Sequence, residues 1–167
     1  MIAINRIWEE LKQTKSNIIC IQRYTDKRRS WLRWHNGLII FFSAGGALTS
    51  LINHWFAVGA VTIITIISLI KSVLPTFVQS EQEIIELDHL MDFYSKYLNS
   101  LEQLWYNFFH EYITEEEMMK QLFLLKEQEC DKYSILNKGI RAISQKDQEE
   151  IDRQCTEYTN RVYFQKQ

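Results

Sequence analysis

Between residues 37 and 70 no Asp, Glu, Lys or Arg occurs, and the strongest polar break is Asn53–His54 near the centre of the run. A helix crosses the hydrocarbon core of a bilayer with about 20 mostly apolar residues. Residues 31–53 and 55–76 each supply such a stretch, so the pattern predicts two membrane spans joined by a minimal turn. In the second, Phe56, Val58, Val61, Ile63, Ile64, Ile66, Ile67, Leu69 and Ile70 each favour insertion by about 0.3–0.6 kcal/mol. The first is diluted by Ser43, Gly45, Gly46, Thr49 and Ser50 and needs a protein neighbour. Ser43 with Ala47 and Gly46 with Ser50, four apart, allow the close backbone approach that holds helices together in lipid. The competing reading is a buried helical hairpin in a water-soluble core.

The flanks follow a different rhythm. Ile4, Ile7, Trp8, Leu11, Ile18 and Ile21 recur at helical spacing, predicting an amphipathic helix over 1–30, and no Pro or Gly precedes Gly37 to stop it before the first span. It lies on the membrane surface or packs on a helical body, and its mixture of acids and bases favours the body. Pro75, the only proline, must bend or end the second span and closes a hairpin domain at 31–78. Beyond it, Ile84, Leu87, Met91, Tyr94, Leu98, Leu101, Trp105, Phe108 and Tyr112 alternate by three and four, with Leu90, Tyr97 and Leu104 widening the stripe. This predicts a long helix over about 80–112 in a bundle. Thr114 and Glu117 form a capping box for a helix over 115–137, with Met118, Leu122, Leu125, Cys130, Tyr133 and Leu136 on its apolar face. Ser144 opens a last helix over 145–163, whose buried face is expected at Ile151, Cys155, Tyr158 and Val162. The fold class is therefore an all-α membrane protein: an N-terminal amphipathic helix, a transmembrane hairpin and a helical cytoplasmic domain over 79–167.

Charge fixes the orientation. Lys27, Arg28, Arg29 and Arg33 precede the first span and Lys71 ends the second, while the turn has no Lys or Arg. The positive-inside rule then places both termini in the cytoplasm. Residues 1–36 carry eight Lys or Arg against three Asp or Glu, whereas residues from Glu81 onward carry ten against eighteen. The basic arm suits anionic headgroups or the acidic region of its own or a neighbouring subunit. The thirty polar-rich residues before the first span exclude a signal peptide by position. Three widely spaced cysteines, Cys20, Cys130 and Cys155, suit reduced thiols rather than a disulfide framework.

A search for catalytic chemistry returns nothing. His35, His54, His89 and His110 share no motif, the glycines form neither a phosphate loop nor a dinucleotide fingerprint, and no Cys pair has zinc-finger spacing. Neither an enzyme nor a metal or other cofactor is expected. Two helices per chain cannot enclose water, so a pore requires a homo-oligomer, about a tetramer with cyclic symmetry. Thr62, Thr65, Ser68 and Ser72 fall on one side of the second span and are the candidate lining. The alternative is that they bond their own backbone or a neighbouring helix. Lys71 either rings the pore mouth or snorkels to the interface, and Phe41 and Phe42 could form a constriction that gates by dewetting.

The basic segment Asp26–Lys27–Arg28–Arg29–Ser30–Trp31 before a tight two-span hairpin, followed by a helix holding Asp88–His89–Leu90 and Tyr94–Ser95–Lys96–Tyr97–Leu98, resembles the SLATT family of bacterial effectors. The resemblance covers most of the chain as a hydropathy layout. It implies a pore that breaches the inner membrane in anti-phage defence, controlled by a nucleotide or oligonucleotide made by a partner nucleotidyltransferase. An anionic ligand needs Arg or Lys and often an aromatic plane. The candidates are Arg141, Arg153 and Arg161 with Tyr158 and Tyr163, or the arm at Lys27, Arg28, Arg29 and Arg33. Against this stands a second class of function, a membrane-anchored helical scaffold without a pore.

Overall fold

The computed structural model describes residues 2–49, 55, 58–59, 61–66, 81–140 and 143–163. All regular structure among them is α-helical: α1 (Ile2–Thr49), α2 (Glu81–Phe109), α3 (Glu115–Gly139) and α4 (Gln145–Tyr163), with helical backbone also at 61–66. Among the described residues no helix is long and apolar enough to cross a membrane. The expected turn at Asn53–His54 and the exit at Pro75 lie outside the described residues.

The chain divides into two compact units, residues 1–24 with 85–167, and residues 25–84. In the first, α1 contributes Ile7, Leu11 and Ile21 to a core shared with Leu87, Leu90, Tyr94, Tyr97, Leu98, Leu101 and Leu104 of α2 and Met118, Leu122 and Leu136 of α3. Continuity of α1 through the polar segment follows from its composition, since no helix breaker occurs before Gly37. A smaller cluster, Ile19 with Ile151 and Cys155, seats α4 on the other side of the same helix. Arg23 reinforces that contact, with both Asp147 and Glu150 at 3.5 Å.

Helix ends obey local chemistry. Glu117 N–H donates to Thr114 Oγ1 at 3.2 Å, which starts α3 at Glu115 behind an N-cap, and three acids follow in the first turn. Ser144 Oγ likewise accepts from Asp147 N–H at 3.2 Å and starts α4. α2 ends at Phe109, short of the expected 112. There Glu111 adopts φ 58°, Tyr112 N–H donates to Asn107 O and Glu111 N–H to Phe108 O. This is a Schellman ending with glutamate where glycine is usual. Tyr112, expected to close the stripe, is therefore outside the helix and exposed, 5.9 Å from the His110 ring.

Two apolar faces also differ from expectation. On α4 the buried residues are Ile151, Cys155 and Thr159, while Tyr158 is half-buried and Val162 exposed. On α3, Cys130 and Tyr133 are exposed, and the inward line runs Met118, Leu122, Leu125, Glu129, Leu136. A charged residue occupies the inward position where an apolar one was expected.

Candidate functional site

In the unit of residues 25–84, helical turns at 61–66 expose Val61, Ile63 and Ile66, and α1 exposes Ile40 at 68% and Phe41 at 70%. Trp55 is 80% exposed. Two of the candidate lining residues are described, and both hydroxyls turn back onto their own helix: Thr62 Oγ1 donates to Val58 O and Thr65 Oγ1 to Val61 O, each at 2.8 Å. Such back-bonding satisfies a hydroxyl in an apolar setting. Ser68, Lys71, Ser72 and Arg141, and the side chain of Phe42, lie outside the described residues. In the basic arm Arg29 and Arg33 are exposed and Arg28 is half-buried.

The ligand candidates on α4 are not brought to one place as free cations. Arg153 is engaged within its own helix, its Nε 2.9 Å from Glu150 Oε2 and its Nη1 2.5 Å from Glu157 Oε1. The bonds from Arg153 and Gln154 hold the Glu150 carboxyl down to about 2. Arg161 is exposed. Tyr158 and Tyr163 both donate their hydroxyls to Glu102 Oε1 on α2, the latter at 3.1 Å. Burial and then the Glu102 carboxylate raise both phenols above the usual tyrosine range. Lys15 Nζ lies 3.9 Å from the Tyr158 ring centre, and burial lowers its pKa against the opposing pull of Glu102.

Tyr163 and Glu102 border a groove of about 620 Å³, walled also by Trp8, Trp105, Tyr106 and Phe109, with Ile4, Asn5 and Val162 completing it. Trp8 stands edge-on to Tyr163 at 4.9 Å and tilted to Trp105 at 6.0 Å. Every wall residue comes from α1, α2 or α4. No family model, curated protein or solved structure matches the chain. The groove and the residues around it thus carry the functional reading of the helical body by themselves. Sequence reasoning had Tyr158 and Tyr163 but not Trp8, Glu102 or Trp105 as site residues.

A second polar assembly lies inside the body. Glu10 of α1, only 7% exposed, accepts from Tyr97 Oη at 3.1 Å and pairs with Lys126 Nζ at 2.6 Å. Tyr94 Oη donates to Glu129 Oε1 at 3.2 Å. Burial raises the Glu129 pKa, and the neighbouring Glu10 carboxylate raises it further against the pull of Tyr94 and Lys126. A carboxyl with a raised folded pKa contributes stability that is complete below its unfolded value and lost as pH rises through the folded one. Stability of the body is therefore expected to fall as pH is raised above the ordinary glutamate value of 4.5. Glu129→Gln should remove that part of the decline, read as thermal midpoints from pH 4 to 8. An unchanged slope in the variant would exclude Glu129 as the group responsible. Burial also raises both Cys155 and Cys20, the latter to about 11, so these thiols stay protonated near neutrality.

Proposed function

We propose that the chain is a two-span membrane effector of SLATT type, similar to the transmembrane effector of the Hailong anti-phage system. On this reading about four copies assemble in the bacterial inner membrane, with both termini cytoplasmic. The assembled hairpins open an ion-conducting pore that depolarises the cell, under control of a nucleotide or oligonucleotide made by a partner nucleotidyltransferase. The observation that carries this reading is apolar side chains at high exposure in a run without a charged residue: Ile40, Phe41, Trp55, Val61 and Ile66. Water penalises such a surface, and lipid or further copies of the chain relieve it.

A second reading, the anchored scaffold, draws on a specific observation of its own. The Thr62 and Thr65 hydroxyls are bonded to carbonyls of their own helix. An anchor needs no more of them than that. Reconstitution separates the two: a pore former releases a trapped dye from liposomes of anionic lipid, and Thr65→Trp or Lys71→Glu changes the rate several-fold. Vesicles that stay sealed at every protein density would leave the scaffold. For the nucleotide signal, Arg153 is already engaged by Glu150 and Glu157, and charge reversal at Arg28, Arg29 and Arg33 tests the arm as the alternative site.

A further inference from the structure

The groove between α1, α2 and α4 has an unusual chemical make-up. Among the described residues, five of the nine that line it are aromatic, Glu102 is the single charged one, and no Lys or Arg is among them. Both hydrogen bonds that Glu102 accepts from described residues end on Oε1, one from Tyr158 and one from Tyr163. That pair of phenols holds Oε1 in place while leaving Oε2 without a hydrogen bond from a described residue. Lys15 balances Glu102 from the Tyr158 ring and is not part of the lining.

A carboxylate fixed among Trp and Tyr rings is an arrangement that recognises a positive charge on an apolar body. The ring faces carry negative quadrupole density, and a cation within about 6 Å of a ring centre is attracted to it. The neighbouring rings already seat cations in this way: Lys12 Nζ lies 5.5 Å from the Trp8 ring centre and Lys15 Nζ 3.9 Å from that of Tyr158. An anion fares worse here, because a phosphate would meet Glu102 with no cation among the described lining residues to offset it. The volume falls within the about 300–1,000 Å³ typical of small-molecule sites.

We propose that this groove binds a small organic cation, an ammonium or guanidinium on an apolar stem, with Glu102 as the counter-charge and Trp8, Trp105 and Tyr163 as the cage. The existence of this site does not depend on the pore reading. Its ligand bridges three helices and so stabilises the helical body by an amount that grows with the logarithm of its concentration over its Kd.

The test uses the full chain in detergent micelles and three probes: choline, agmatine and 3,3-dimethylbutan-1-ol, the uncharged isostere of choline. Binding is read by titration calorimetry, with tryptophan fluorescence as a second signal. At least one of the two cations should saturate a single site, and the alcohol should bind at least tenfold more weakly than choline or not at all. Glu102→Gln should weaken cation binding by about tenfold, and Trp105→Leu should weaken it independently, with circular dichroism melts establishing that both variants are folded. Equal binding of choline and the alcohol would reduce the groove to a greasy slot and overturn the proposal. So would saturation by neither cation, undiminished binding in a folded Glu102→Gln variant, or displacement of a bound cation by AMP.

Discussion

Ile63→Arg is expected to abolish membrane integration of the chain. On the hairpin reading residue 63 sits near the middle of the second span, where arginine costs about 2.5–3.5 kcal/mol and the lost isoleucine another 0.3–0.6. The sum corresponds to a loss of integration of roughly two to three orders of magnitude. The midpoint of a span is also where an arginine has least reach to either interface. The contrast with an aqueous setting makes the experiment decisive. Ile63 is 38% exposed in the isolated chain, and a surface position in water tolerates arginine within about 0.5 kcal/mol. Carbonate extraction of membranes from expressing cells reads the difference, with Ile63→Leu as the matched control. An arginine variant that stays in the carbonate-resistant pellet as fully as the leucine control would remove residue 63 from the bilayer interior, and the pore with it.

The helical body was legible to the extent that its rules are local. Thr114 and Glu117 marked the start of α3 because a cap is a contact between residues three apart. The stripe on α2 was legible because Leu87, Tyr94, Leu98 and Leu101 are apolar and truly buried. What escaped is what periodicity cannot count. Glu10 and Glu129 occupy inward positions, but a reading that tallies apolar residues passes over them. Their burial is made tolerable by Tyr97, Lys126 and Tyr94, partners on other helices that no spacing announces. The end of α2 escaped for a related reason. Tyr112 fits the three-four arithmetic, yet Glu111 turns left-handed without the glycine that would have signalled it.

The same limit explains the candidate site. Tyr158 and Tyr163 were noticed as aromatic planes near arginines on one helix, and the inference to an anion site followed from that neighbourhood. In three dimensions both phenols point their hydroxyls at Glu102, which is 56 and 61 residues away in sequence. The acceptor they share is a carboxylate, and Lys15 lies over the Tyr158 ring beside it. Arg153, the most prominent cation on α4, is neutralised by acids one turn away on each side. Composition along a helix gave the ring types, while their shared bond to Glu102 is a long-range pairing that it could not give.

Leu101→Ala is expected to remove about 3 kcal/mol from the stability of the helical body. Leu101 has no exposed surface and belongs to the cluster that joins α1, α2 and α3. Truncating such a leucine forfeits the transfer energy of three carbons and leaves a cavity that neighbours close only in part, at about 2–5 kcal/mol in all. The neighbours here resist closure. Tyr94 and Tyr97 are tied by their hydroxyls to Glu129 and Glu10, so moving either ring into the void would stretch a buried hydrogen bond. The loss should therefore lie above the bottom of that range. At about 2–4 °C per kcal/mol for a chain of this size, the thermal midpoint should drop by about 6–12 °C. Leu101→Met, which keeps the volume, should cost less than about 1.5 kcal/mol. Equal midpoints for the alanine and methionine variants would show that α2 does not pack its leucine seam against α1 and α3, and the shared core would have to be redrawn.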